Sequence, residues 1–180
     1  MSKLRVAGVV PGSITDGPGI RFAIFVQGCA HNCPFCQNPE THDYNSGTER
    51  DTDELLGHIK KDPMLTGVTF SGGEPFDQPG PLAELGREVK ALGLELAAYS
   101  GYLYEQLLAD PDKRELLELC DVLIDGPFIM EQRNLDIRFK GSENQRIIDV
   151  PASLSSGTVV LKEDGRWIAG PELFVRPGSR

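Results

Sequence analysis

Apolar positions along the chain occur in short blocks, separated by polar loops and by segments with helical spacing. Blocks with the length and composition of buried strands lie at residues 4–10, 21–27, 67–70, 94–99 and 121–126. Helix-start signals or apolar positions on one helical face predict helices at residues 51–61, 79–92, 103–109 and 112–119. The repeated order of strand, loop and helix is typical of βα units around a parallel sheet.

The length of the chain limits how this sheet can be built. A chain of 180 residues has the size of one domain, whereas a closed eight-fold barrel needs roughly 250 residues. We therefore expect an α/β fold, an open partial (βα) barrel with a parallel sheet, formed by a single domain over residues 1–180. Its core should span about residues 4–150. Residues 158–169 are expected to form a hairpin around Asp164 and Gly165, followed by an irregular tail.

Composition and charge narrow the class of protein. The chain is 39% hydrophobic and 25% charged, as expected for a soluble globular protein. Its formal net charge of −9 disfavours nucleic acid and anionic membrane surfaces as partners. The N-terminal apolar run is too short for a signal peptide, and no apolar run reaches the length of a membrane span. We therefore expect a cytoplasmic protein.

A cysteine-rich loop follows the strand predicted at 21–27. Cys29, Cys33 and Cys36 are spaced C-x3-C-x2-C, and the chain has one further cysteine, Cys120. Thiols of a cytosolic protein stay reduced and more often bind metal or catalyse than form disulfides. Sites in parallel α/β sheets form at the carboxyl ends of the strands, where this loop begins.

The residues alone leave three interpretations of the loop open. The thiols could be incidental. They could belong to a structural zinc site, but the fourth ligand would then be His31, His42 or Cys120, none of which has a standard spacing. They could hold a [4Fe–4S] cluster on three thiolates, with the fourth iron free to bind a small molecule. The cluster fits the number of donors best.

Several motifs resemble known sequences. The cysteine motif, with Phe35 before its last cysteine, resembles the signature of the radical S-adenosylmethionine (SAM) enzymes, and residues 72–75 (Gly-Gly-Glu-Pro) resemble their second motif. The stretches that resemble the glycyl-radical-enzyme activases are residues 16–21, 27–29 and 36–39. Two later stretches, 121–128 and 141–146, resemble the anaerobic ribonucleoside-triphosphate reductase activating proteins. The resemblance covers roughly residues 10–150.

The resemblance implies the cofactors and the reaction. It implies that Cys29, Cys33 and Cys36 bind a [4Fe–4S] cluster whose free iron binds S-adenosyl-L-methionine. In such enzymes an electron from the reduced cluster cleaves SAM into methionine and a 5′-deoxyadenosyl radical. That radical then removes a hydrogen atom from the α-carbon of a glycine in a partner enzyme.

The resemblance also implies which residues contact SAM. Gly72 and Gly73 would allow its methionine part to approach the backbone closely, and Glu74 would accept from its ammonium group. Phe35 and the backbone as far as Gln37 would lie near the adenine. Each motif also has a plainer interpretation, because Gly-rich turns and loop-filling aromatic residues are common.

Other residues at predicted strand ends are weaker candidates. Ser100 and Asp125 could reach the carboxylate or ribose of SAM, although polar residues at strand ends often serve as caps. His31 is expected to face solvent or to support the ligands from outside, and Cys120 to be a small buried hydrophobe. The basic residues of the segment 133–146 suit a solvated loop better than a partner contact.

The implied partners are proteins. The target would be a large glycyl radical enzyme, an anaerobic ribonucleotide reductase, whose glycine loop could enter an open half-barrel. A low-potential donor such as flavodoxin or ferredoxin would supply the electron. Two alternatives remain: an activase of another glycyl radical enzyme such as pyruvate formate-lyase, and a non-enzymatic metal-binding module that binds a partner.

Overall fold

The computed structural model of the chain describes residues 2–168, which form one seven-stranded sheet flanked by helices. The strands are β1 (Lys3–Ser13), β2 (Arg21–Val26), β3 (Thr48–Asp51), β4 (Gly67–Gly72), β5 (Glu95–Tyr99), β6 (Val122–Asp125) and β7 (Arg146–Asp149). The helices are α1 (Thr52–Lys61), α2 (Pro79–Ala91), α3 (Tyr104–Ala109), α4 (Pro111–Leu119), α5 (Val150–Ser156) and α6 (Gly165–Ile168). Within residues 2–168, no helix is long and apolar enough to cross a bilayer.

The sheet is mixed, with the strand order β3-β1-β2-β4-β5-β6-β7. Its four central strands, β2, β4, β5 and β6, run parallel to one another. Both flanks are antiparallel: β1 pairs with β2 and β3, and β7 pairs with β6. The predicted α/β class with a parallel sheet is confirmed for the centre of the sheet, and the described strands form an open sheet. The antiparallel flanks were not predicted.

The two faces of the sheet have different surroundings. On one face, alternate residues of the central strands, such as Phe22, Ile24 and Phe70, pack against α1, α2 and α4 in the main hydrophobic core. The opposite face, here called the open face, carries a smaller cluster formed by Ala97, Val122, Ile124, Ile147 and Trp167. The open face also contributes Phe25, Ser71 and Tyr99 to the cavity described below.

Most predicted elements occur within two or three residues of their expected bounds, but the C-terminal hairpin is wrong. Leu161 forms only an isolated bridge to Ile148, and Gly165–Ile168 is a short helix. Asp164 begins this helix because its side chain accepts from the backbone N–H of Arg166 at 2.9 Å. Position 169 and the tail beyond it lie outside the described residues.

Candidate active site

The cysteine loop is held at its base by backbone hydrogen bonds. The N–H of Gly28 donates to the carbonyl of Thr41 at 2.7 Å, and that of Cys29 donates to the carbonyl of His42 at 3.2 Å. A turn closed by the N–H of Cys36 and the carbonyl of Cys33 (3.1 Å) then places the remaining two thiols. The loop therefore leaves the carboxyl end of β2 and returns to it.

The three thiols share a cavity of about 430 Å³, a size typical of small-molecule sites. Loops that follow β4, β5 and β6 form much of the rest of its wall. The predicted site residues that line it are Cys29, Cys33, Cys36, Gln37, Gly72, Gly73, Glu74 and Ser100. The topology thus brings eight of the ten predicted residues together.

Gly72 and Gly73 pack against the root of the cysteine loop. The N–H of Gly73 donates to the carbonyl of Val26, and the N–H of Glu74 donates to the carbonyl of Gly28, both at 2.8 Å. A Cβ on Gly72 would lie 2.5 Å from the backbone N of Val26, and one on Gly73 would lie 2.3 Å from the carbonyl O of Gly28. The glycines are needed for this backbone contact, and their contact with SAM stays a prediction.

The carboxylate of Glu74 accepts four hydrogen bonds and its side chain is fully buried. Its Oε1 accepts from Ser100 Oγ (2.9 Å) and from the N–H of Phe76 (3.0 Å). Its Oε2 accepts from the N–H of Gly101 (2.8 Å) and pairs with His31 Nε2 (2.7 Å). A carboxylate has about four acceptor positions, so an ammonium group would have to share or replace one donor. The predicted contact with SAM therefore stays a prediction.

His31 belongs to the loop after β2 and lies against the loops after β4 and β5 rather than in solvent. It lines the cavity and makes an edge contact with the ring of Tyr102, with the ring centroids 4.5 Å apart. Its hydrogen bond to Glu74 raises its pKa. Within the cysteine motif, nothing except the presence of a histidine signalled this link to the Gly-Gly-Glu loop.

Asp125 and Phe35 are not among the residues that line the cavity. Asp125 is fully buried; its carboxylate accepts from Arg146 at 3.0 and 2.5 Å and from the N–H of Tyr104 at 2.8 Å. Phe35 is 75% exposed and has a left-handed backbone, with φ 60°. Their roles in binding SAM stay predictions.

The cavity also contains residues that the sequence did not single out as site residues. Thr15 and Asp16 come from the loop before β2. Asp16 begins the stretch 16–21, which the sequence marks only by its resemblance, and Thr15 lies just outside it. The polar segment that follows β6 has no periodic signal that could have placed its residues in a cavity. From this segment the cavity is lined by Gly126, Phe128, Phe139, Lys140, Gly141 and Gln145.

The donor set fits an iron–sulfur cluster with one free iron. Three soft thiols line one cavity, and iron–sulfur clusters prefer thiolate ligands. Cys120 is buried instead at the end of α4, where its Sγ contacts the carbonyl of Leu116 at 3.4 Å.

Burial raises the pKa of the Cys29 thiol to about 11. Because ligation requires the thiolate, binding of the cluster would release this proton. In residues 2–168, no three His, Cys, Asp or Glu side chains are arranged to hold a single metal ion.

Comparison with known proteins places this site in a family. Residues 15–148 match the family described as a 4Fe-4S single cluster domain. The anaerobic ribonucleoside-triphosphate reductase-activating protein of Vibrio cholerae is 33% identical over 146 residues, which cover 76% of this chain and 92% of that protein. The protein of the same name from Salmonella typhimurium is 32% identical over 150 residues, covering 79% and 96%. The chain therefore belongs to the radical SAM activases of glycyl radical enzymes, which use a [4Fe–4S] cluster and SAM.

Relatives with a different target are also found. The pyruvate formate-lyase-activating enzyme of Listeria monocytogenes is 35% identical over 175 residues, covering 91% of this chain but 66% of that enzyme. Among solved structures, QueE from Escherichia coli aligns with a TM-score of 0.49 at 13% identity, covering 68% of this chain and 71% of QueE.

Proposed function

We propose that this activase generates the glycyl radical of an anaerobic ribonucleoside-triphosphate reductase. The chain covers 92% and 96% of two relatives named for that target, but 66% of a relative named for pyruvate formate-lyase. The observation that carries the proposal is the cavity that three thiols share with the Gly-Gly-Glu loop and with the segment after β6. A flavodoxin or ferredoxin would be the electron donor.

Cys29, Cys33 and Cys36 would hold the cluster. When bound, the [4Fe–4S] cluster supplies the electron that cleaves SAM reductively. Glu74 fixes the cysteine loop against the loops after β4 and β5 through His31, Ser100 and the N–H of Gly101. These bonds hold the residues that surround the thiols, and the same cavity would take SAM and the polypeptide segment that donates the hydrogen atom.

The second candidate is activation of pyruvate formate-lyase. It is favoured by the 35% identity over 175 residues, a match that covers more of this chain than the matches to the reductase activating proteins do.

The two targets are distinguished by a partner assay. The chain is loaded with iron and sulfide without oxygen, then given reductant, SAM and either target enzyme, and the glycyl radical is measured by electron paramagnetic resonance. We expect a radical on the reductase. A radical on the lyase alone would reassign the target, and loaded protein that forms no 5′-deoxyadenosine would contradict the activity.

The assignment of the ligands is tested by a matched pair of cysteine variants. Cys36→Ala removes one of the three thiols in the cavity, and we expect loss of cluster binding and of 5′-deoxyadenosine formation. Cys120→Ala removes a buried thiol outside the cavity, and we expect iron and sulfide contents like those of the wild type. Equal iron and sulfide contents in the two variants would contradict the assignment, as would zinc without sulfide in the wild-type protein.

A further inference from the structure

Trp167, the single tryptophan of the chain, is fully buried against the open face of the sheet. It comes from α6, in the segment that leaves α5, and it lies beyond the residues 15–148 that the family description matches. Its indole packs with Ala97, Val122, Ile124 and Ile147. Its Nε1 is buried and has no hydrogen-bond partner among the described residues. Among the described helices, α6 is thus the one that contributes a side chain to the open-face cluster.

A buried arginine anchors the tryptophan. Arg21 stacks on the indole, with its guanidinium carbon 5.3 Å from the ring centroid. The guanidinium also binds Glu95 Oε1 at 2.9 Å, and Glu95 in turn reaches Arg166, next to the tryptophan, at 3.4 Å. Arg21 and Glu95 lie at the starts of β2 and β5. The position of Trp167 is therefore set by the parallel centre of the sheet.

Two parts of the cavity wall rest on this indole. Phe139, which lines the cavity, makes an edge contact with Trp167 (centroids 5.4 Å apart, 69° between the planes). Asp16, which also lines the cavity, precedes Gly17, where a Cβ would lie 3.0 Å from the indole Cη2. The cavity wall at Asp16 and Phe139 is called the floor below.

The floor lies away from the cysteine end of the cavity. The carbonyl of Asp16 accepts from Thr69 Oγ1 at 2.7 Å, and Thr69 precedes Gly72 by three positions in β4. At about 3.3 Å per strand residue, the Asp16 side of the floor is roughly 10 Å below the Gly-Gly-Glu loop. A substrate that enters the cavity between these levels would meet Asp16 and Phe139.

Phe139 is held in a conformation that a bulky residue rarely adopts. Its φ is 60°, in the left-handed region, which is unfavourable for a residue with a large side chain. Its carbonyl accepts from Tyr99 Oη at 2.7 Å, and its ring rests on Trp167. The contacts with Tyr99 and Trp167 thus fix a strained aromatic residue in the cavity wall. This indicates that the position of Phe139 matters to the shape of the cavity.

We propose that Trp167 is a positioning residue that sets the depth of the cavity for the polypeptide substrate through Phe139 and the loop at Asp16. The proposal rests on the proposed function, since it assigns the space above the floor to the glycine-bearing segment of the partner. The contacts of Trp167 named above involve neither the thiols nor the Gly-Gly-Glu loop. Its role concerns where the partner's glycine stops and not how SAM is cleaved.

The experiment compares three variants of the cluster-loaded chain. Trp167→Leu removes the edge contact with Phe139 but keeps an apolar side chain, Trp167→Phe keeps an aromatic ring, and Ile168→Ala changes the half-exposed neighbour in α6. The readouts are 5′-deoxyadenosine formed without partner, KM and kcat for the partner, glycyl radicals per SAM cleaved, and equilibrium binding of the labelled partner without turnover.

For Trp167→Leu we expect KM for the partner to rise and the radical yield per SAM to fall by about tenfold, because small displacements of a reacting group are costly. Cleavage of SAM without partner should be unchanged. Trp167→Phe should restore most of the yield, and Ile168→Ala should match the wild type.

Two results would overturn the role of Trp167. One is a Trp167→Leu variant that matches Ile168→Ala in KM and in radical yield. The other is a loss of SAM cleavage in proportion to the loss of radical, which would indicate general damage to the site. Wild-type protein that forms no 5′-deoxyadenosine would instead overturn the proposed function, and with it the identity of the substrate.

Discussion

At the scale of single residues, Glu74 explains how three separate loops form one wall. One carboxylate accepts from His31 in the cysteine loop, from Ser100 and Gly101 after β5, and from the N–H of Phe76 in its own loop. Buried acceptors of this kind are stable only when donors surround them. Here the donors come from segments far apart in sequence.

Glu74→Gln should destabilise the fold by about 1–3 kcal/mol, because an amide NH₂ would replace one acceptor oxygen. Ser100 and His31 can reorient, but the N–H of Phe76 or of Gly101 would be left facing another donor. The measurement is the free energy of unfolding in urea. Glu88→Gln, at an exposed position of α2, serves as the control, with an expected change of about 0.5 kcal/mol or less. Equal stability of the two variants would contradict this role for Glu74.

The motif predicted that Glu74 belongs to the site, but not which groups of the protein donate to it there. A strand followed by Gly-Gly-Glu places the residue at the carboxyl end of the sheet, and this level of detail follows from sequence. Its partners depend on how close the loops after β2 and β5 come, and that distance is set by packing between elements. His31 and Gly101 therefore could not be paired with it in advance.

At the scale of elements, the loop after β4 packs against the start of the loop after β2 through backbone atoms, without side chains between them. Gly73→Ala would place a Cβ 2.3 Å from the carbonyl O of Gly28, directly before the first cysteine. We expect a loss of about 1–3 kcal/mol of stability, typical of overpacking, together with weaker retention of iron. Gly80→Ala in α2 is the control, because nothing lies within 4 Å of its added Cβ. Normal iron retention in Gly73→Ala would contradict the contact.

The antiparallel flank β7 is joined to β6 by a buried ion pair. Arg146 binds the fully buried carboxylate of Asp125, so Arg146→Met would leave that charge without its cationic partner. We expect a loss of about 3 kcal/mol, at the lower end for a broken buried pair because Arg146 is partly exposed.

The matched control for this pair is Arg114→Met, which breaks an exposed i,i+4 pair with Glu118. Exposed pairs contribute little, so a change of about 0.5 kcal/mol or less is expected. Chemical denaturation of both variants gives the comparison. Similar losses in the two variants would show that the buried carboxylate is tolerated without Arg146.

Elements with apolar periodicity could be predicted from sequence, and those without it could not. The central strands and the larger helices have buried residues at regular spacing, and they occur where the sequence predicts them. The two strands missed, β3 and β7, have four residues each, and β3 has no fully buried residue. The hairpin prediction failed because Asp164 caps a helix, a role that the same Asp-Gly pair also permits.

At the scale of the whole molecule, the two faces of the sheet separate stability from chemistry. The main core lies between the sheet and α1, α2 and α4, away from the thiols. The cavity lies on the side of the strand-end loops and the open face, where Trp167 supports its floor. Sites in parallel α/β sheets form at the carboxyl ends of the strands, and this predicted the cysteine end of the cavity. The floor depends instead on a C-terminal segment, and no pattern in the sequence indicated its contacts.

The central claim is that the radical chemistry begun at the three thiols reaches a glycine of another protein. The most direct test supplies the loaded chain and SAM with an anaerobic ribonucleoside-triphosphate reductase whose glycine residues carry deuterium on the α-carbon. Mass spectrometry then follows the 5′-deoxyadenosine product. We expect deuterium in that product together with a glycyl radical on the reductase. Deuterium-free 5′-deoxyadenosine from a fully loaded chain, with no radical on the reductase, would contradict the account.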